Sequence, residues 1–196
     1  MPDNTFKFSV NPWSIVRENK EYSTPIFNLL KRRLRLQSSI DDLEGEFYIL
    51  DAPAWINVMA FTPTGEIILV EQYRYGIQKP TLEIPGGMVD AGESPLEGAH
   101  RELLEETGYR SDAWTSLGKA SANPAIMNNF THMFVAQDCE FTGAENPDEH
   151  ERIEVHNMPL DDFMHYVEDG TIHHSIVLAA VARYLLMEHR LNEWSE

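Results

Sequence analysis

The stretch from Gly87 to Tyr109, GMVDAGESPLEGAHRELLEETGY, constrains this chain more than any other. Gly87, Glu93, Arg101, Glu102, Glu105, Glu106 and Gly108 stand in the pattern G-x5-E-x7-R-E-U-x-E-E-x-G-U, where U is apolar. A given window meets seven fixed positions by chance roughly once in a billion. Local chemistry says what the stretch folds into. Ser94 is a good N-cap, Pro95 suits the first helical position, and Glu97 completes a capping box. Gly108 suits a left-handed stop. Together these signals predict a helix over Pro95–Thr107. At about 100° per residue, Leu96, Ala99, Leu103 and Thr107 form an apolar stripe with Leu104 at its edge. Glu102, Glu105 and Glu106 fall within an arc of about 100° beside it.

That acidic face opposes local stability. Glu105 and Glu106 sit in the last turn, where the helix dipole disfavours negative charge. Glu102 repels both neighbours at i+3 and i+4. Such a conflict is expected where function overrides local preference. Clustered carboxylates without a Cys/His ligand set point to a hard cation, Mg2+ or Mn2+. The preceding EIPGG carries Gly86 and Gly87, which let backbone approach a ligand closely.

The whole pattern resembles the signature of the Nudix hydrolases, with no departure at any position. The resemblance implies an α/β fold, a mixed β-sheet sandwiched between helices, and metal-dependent hydrolysis of nucleoside diphosphates linked to another group. It also implies a metal site made of the Gly86 carbonyl, Glu102, Glu105 and Glu106. Arg101 and Glu105 are expected among the catalytic residues, with Arg101 orienting the carboxylates.

The flanks resemble the branch acting on ADP-ribose and nucleoside diphosphate sugars. VEQYRYG (Val70–Gly76) followed by LEIPGG is typical of it, and Pro124 stands 15 residues after Tyr109. Asn123-Pro124-Ala125, Asn129 and His132 fit the loop of its nucleotide-sugar members. The likeness covers about Phe47 to Leu186. Arg74 is therefore the candidate to fork onto a phosphate. Asn123, Pro124 and Asn129 are candidate substrate contacts, while Glu83 either binds substrate hydroxyls or pairs with a neighbour. Related enzymes carry an ExExxxV loop; matched by position, Glu149 is the base and Glu151 a further metal ligand. The implied reaction is Mg2+-dependent hydrolysis to a nucleoside monophosphate and a sugar phosphate. The nearest rival is a Nudix enzyme for triphosphates, dinucleotides or coenzyme A, against which Pro124 and the NPAxxxN loop weigh. The other rival is a sensor that binds ADP-ribose uncleaved; such modules usually lose signature glutamates, which this chain keeps.

A net charge of −17 argues against a general nucleic-acid binder, which a polyanion would repel. Lys31, Arg32, Arg33 and Arg35 fit a strand with a cationic face better than a nucleic-acid patch. Cys139 is the only cysteine, which suits a reducing cytoplasm. The most apolar stretch, Ser175–Met187, contains Arg183 and is too short to span a bilayer. Residues 1–46 read as a strand-rich extension, starting at FKFSV and expected to serve a homodimer; residues 47–196 read as the hydrolase domain. Strands are predicted over Glu46–Asp51, Trp55–Phe61, Glu66–Tyr75, Trp114–Lys119, Thr131–Ala136 and Arg152–His156. Helices are predicted over Leu160–Glu168 and over Ser175–His189, with Ser175 as the cap of the second.

Overall fold

The computed structural model describes residues 6–38, 40–143 and 152–193. Their elements run β1 (Trp13–Ser23), β2 (Asn28–Leu36), β3 (Glu44–Asp51), β4 (Trp55–Phe61), β5 (Glu66–Arg74), β6 (Lys79–Glu83), α1 (Pro95–Thr107), β7 (Tyr109–Arg110), β8 (Ala113–Ala120), β9 (Thr131–Gln137), β10 (Glu140–Phe141), β11 (Ile153–Pro159), α2 (Leu160–Glu168) and α3 (Ser175–Glu193). They form two units, one of residues 1–52 with 123–128, the other of 53–122 with 129–196. The first therefore extends past Glu46, because Phe47–Asp51 complete β3.

The first unit is an antiparallel sheet in the order β1-β2-β3. Residues Phe6–Val10, expected as a strand, lie outside it and are exposed. The pairing strand is WSIVRENKEYS instead, because it finds nine register partners on β2 while FKFSV finds none among the described residues. The β2 cations are met by acids on the flanking strands: Arg32 by Glu18 (2.6 Å), Arg33 by Glu44 (2.6 Å), Lys31 by Glu46 (3.0 Å) and Arg35 by Glu44. Local neutralisation explains how so many cations sit on one strand, and it disfavours a phosphate-backbone patch.

The second unit is a six-stranded mixed sheet in the order β11-β5-β4-β9-β8, with β6 added to β5. β4 and β9 run parallel; the other pairs are antiparallel. WINVMAF on β4 is apolar but for buried Asn57, because both faces are covered. Met59 and Phe61 join Phe163 of α2 and Val177, Ala180 and Tyr184 of α3. Ile56, Val58 and Ala60 join Ala99 and Leu103 of α1 on the opposite side. Each Val, Leu, Ile, Phe or Met side chain buried there contributes about 1.5–3 kcal/mol. The expected mixed sheet between helices is present.

Three local differences have physical reasons. β6 was not legible because Pro80 demotes a strand, but Pro is tolerated on an edge, and β6 pairs with β5. Helix α3 runs on to Glu193, and the Leu178 N–H donates to the His174 carbonyl, so His174 rather than Ser175 takes the N-cap position. Arg183, which interrupts the apolar run on α3, donates to the Leu117 and Lys119 carbonyls at 3.0 and 2.8 Å. These flank Gly118, at a β8 irregularity with φ +85°. No helix among the described residues is long and apolar enough to cross a membrane.

Candidate active site

α1 starts and stops where its sequence signals predict. The Ser94 hydroxyl accepts from the Glu97 N–H at 3.3 Å, and the Glu97 carboxylate accepts from the Ser94 N–H at 2.8 Å. Gly108 ends it at φ 71°. Fixed ends fix which way each side chain points. Ala99, Leu103 and Thr107 are buried as expected, whereas Leu96 is 40% exposed, being in the first turn at the margin of the stripe.

The glutamates divide differently from a single solvated face. Glu106 is 4% exposed, and its carboxylate accepts the Gly86 N–H at 2.9 Å. Glu102 lies against Gly87, where a Cβ would collide with its carboxylate. Glu105 is the more open, with its side chain 37% exposed. The backbone they meet is held by β4: Ile56 and Val58 donate N–H bonds at 2.9 Å to the carbonyls of Gly87 and Pro85. Successive groups of an extended segment alternate in direction. Between those two carbonyls, the Gly86 N–H turns to Glu106.

Arg101 binds this cluster together. Its Nε and Nη2 donate to the two Glu93 oxygens at 3.1 Å, and Nη2 donates to the Met88 carbonyl at 2.8 Å. Its Nη1 donates to Glu102 at 2.8 Å and to Glu105 at 3.0 Å. A guanidinium has five N–H donors, and five acceptors surround this one. Arg101 thus bonds three of the signature glutamates. Glu93 belongs to the pattern but was given no role by it; it anchors Arg101.

The donor chemistry suits a hard divalent cation: the carboxylates of α1 gather beside the Gly86-Gly87 loop. Among the described residues no three acidic, histidine or cysteine side chains are grouped to hold a metal ion, and Arg101 Nη1 bonds Glu102 and Glu105. Glu149 and Glu151 lie outside the described residues.

Arg74 ends β5 in a forked pair with Glu83, Nε to Oε1 at 2.8 Å and Nη2 to Oε2 at 2.9 Å. Glu83 is 1% exposed and also accepts from Thr81 at 2.7 Å and from His174 Nδ1 at 2.5 Å. Burial would raise the Glu83 carboxyl; hydrogen bonds from Arg74 and His174, the Arg74 charge and the Thr81 hydroxyl outweigh it and hold it far below its ordinary 4.5. Of the two readings of Glu83, the geometry favours pairing with neighbours. A depressed carboxyl stabilises the fold above its unfolded value and loses that contribution as pH falls through the folded one. Acid titration of stability from about pH 5 to about pH 2 should therefore fall more steeply for the parent than for Glu83→Gln. Parallel curves would show that this pairing does not stabilise the native state.

The other expected substrate contacts separate. Asn129 is buried and donates to the Pro53 carbonyl at 2.9 Å, a structural bond. Asn123 and Pro124 are exposed and belong to the first unit, where the Asn123 carbonyl accepts from Met127 at 2.8 Å. His174 was not legible as a site residue in the sequence. Its partner lies 91 residues away, and no local signal links them.

Comparison with known proteins agrees with this geometry. The model of the NUDIX domain matches residues 52–180. The chain belongs to the Nudix family. Over 167 residues this Nudix protein is 32% identical to the methanol dehydrogenase activator of Bacillus methanolicus, covering 82% of this chain and 89% of that one. It is 31% identical over 144 residues to the ADP-ribose pyrophosphatase of Bacillus subtilis, covering 73% and 77%. It is 33% identical over 148 residues to the ADP-sugar pyrophosphatase of Mus musculus, covering 71% and 67%. A crystal structure of an ADP compounds hydrolase shares the fold, with a TM-score of 0.78 at 23% identity over 95% of this chain and 98% of that one. The protein is a Nudix hydrolase, in a family that generally works with divalent metal ions.

Proposed function

We propose that this Nudix hydrolase cleaves the diphosphate bond of nucleoside diphosphate sugars, ADP-ribose among them. Water adds to one phosphorus, the bridging P–O bond breaks, and the products are a nucleoside monophosphate and a sugar phosphate. The observation that carries the reading is the pairing of a carboxylate cluster with a fixed arginine. Glu102 and Glu106 converge on Gly86-Gly87, and Arg74 is clamped to Glu83, three residues before Gly86. Three residues of chain span at most about 10 Å, so the clamp and the acidic loop are neighbours. Arg74 would fork onto a phosphate of the substrate. Gly86, Glu102, Glu105 and Glu106, with Glu151, would hold Mg2+ or Mn2+, which neutralises phosphate charge and lowers the pKa of bound water. Glu149 would take the proton of the attacking water. Asn123 and Pro124 remain the proposed contacts for the nucleotide-sugar end. The names of the two pyrophosphatase relatives support the substrate class. A cytoplasmic setting fits buried Cys139, whose thiol burial pushes up to about 11.

A panel of nucleotide sugars, dinucleotides and triphosphates tests this reading, run with Mg2+ and again in excess chelator. We expect nucleoside monophosphate release from the sugars, abolished by chelation. Preference for a triphosphate, or full turnover in chelator, would overturn it.

We further propose a homodimer paired through the first unit. Its sheet exposes Trp13 (41%), Ile15 (56%), Val16 (49%) and Tyr48 (54%), a density of apolar side chains suited to pairing. Light scattering at micromolar concentration should give twice the 22.5 kDa chain mass; a monomer mass would refute pairing.

A further inference from the structure

Glu83 is an intersection. An ionised carboxylate offers about four lone-pair sites, and four donors reach this one. Two come from Arg74, one from Thr81 and one from His174. Arg74 and Thr81 belong to the β5–β6 pair that also carries Glu83, so those three bonds lie within one hairpin. The fourth comes from outside it, from the residue at the N-cap position of α3. Because a carboxylate only accepts, His174 Nδ1 must carry the hydrogen.

Thr81 holds Oε1 from within the hairpin; the fourth bond adds a restraint from outside it, on Oε2. The terminal torsion of a glutamate is broad and roughly two-fold. An Arg–Glu fork can therefore swing as a unit about that torsion, carrying the guanidinium with it. A donor on Oε2 from a separate helix stops the swing. Glu83 is buried at 1% of its side-chain surface while Arg74 keeps 40%, so any movement at the buried end is expressed at the exposed guanidinium. We propose that His174 is a positioning residue for the reaction: acting through Glu83, it fixes the plane of the Arg74 guanidinium against the substrate diphosphate. This rests on the reading of Arg74 as the phosphate-binding residue. The competing account is that His174 only anchors the start of α3, in which case its loss acts independently of Arg74.

A double-mutant cycle separates the two. The affinity of α,β-methylene-ADP-ribose with Mg2+ is measured by calorimetry for the parent, His174→Ala, Arg74→Ala and the pair, beside kcat and KM for ADP-ribose. Loss of a hydrogen bond to a charged group predicts about tenfold weaker binding for His174→Ala. In the Arg74→Ala background the same change should cost less than about twofold, since nothing is left to aim. Two variants of gentler kind check the geometry. His174→Asn places an amide donor near the Nδ1 position and should restore most of the affinity. His174→Gln reaches the Nε2 position instead and should behave as alanine does. Equal losses in both backgrounds, or equal behaviour of the asparagine and glutamine variants, would overturn the proposal. A parent that neither binds the analogue nor hydrolyses a nucleotide sugar would sink the substrate reading itself. Parent binding with additive losses sinks the role of His174 only.

Discussion

Gly87→Ala should lower turnover by at least ~10-fold while leaving the fold in place. A Cβ on Gly87 would fall on the Glu102 carboxylate. What must yield is the end of a flexible side chain, not backbone, and Gly87 has no left-handed φ to forbid alanine. Glu102 then leaves Arg101 Nη1 and the cluster around it. Moving a residue that supports a metal site costs ~10–100-fold, and a ligand should cost no less. Stability should change by under about 1 kcal/mol, a melting shift of about 2–4 °C or less. Gly86→Ala gives the contrast. Its Cβ would meet the Ile56 carbonyl, with Asn57 Nδ2 at 2.7 Å and Asn57 Cα at 3.2 Å, inside strand β4. Overpacking there costs about 1–3 kcal/mol. Rate assays with thermal melts of the two variants decide the matter. A Gly87→Ala enzyme at near-parental rate would show that the position of Glu102 is irrelevant to catalysis.

Glu106→Gln should separate function from stability still more sharply. The parent buries a carboxylate at 4% exposure, one helical turn from Glu102 and in the last turn of α1, a turn without a basic residue. Glutamine keeps an oxygen for the Gly86 N–H and removes the charge. In chelator the variant should match the parent or exceed it by a few tenths of a kcal/mol. With Mg2+ the parent should gain more stability, because a ligand of the native state stabilises by mass action. Turnover should fall by ~10²-fold or more. Melts with chelator and with Mg2+, beside a rate assay, test all three statements. A variant that melts well below the parent in chelator would mean that the charge itself holds the Gly86 loop.

How far the site was legible follows from where each signal lies along the chain. α1 was readable to the residue because Ser94, Glu97 and Gly108 act within four positions of its ends. β4 and β9 were readable because burial on both faces forces apolar runs, Val58–Phe61 and Met133–Ala136. The burial of Glu106 was not, since the donor that makes it tolerable, the Gly86 N–H, lies 20 residues back. His174 and Glu83 are further apart still. Asn129 fitted a substrate-contact motif by spacing, yet its bond to Pro53 depends on two strands meeting side by side. Period and capping belong to one element at a time; pairing between elements has no local signature.

The alternation along Pro85-Gly86-Gly87 also restricts how this enzyme can vary. Pro85 and Gly87 give their carbonyls to β4, and Gly86 between them faces the glutamates. One residue inserted or deleted between Glu83 and Gly87 would exchange those directions, as a one-residue slip does in any extended segment. Gly86 would then lose Glu106, and its neighbour would present a side chain where a bare peptide is needed. The segment is thus locked in length as well as in residue type. Changes of length are admissible beyond it, as at the Tyr75–Gln78 turn between β5 and β6, where the register of the acidic loop is not at stake.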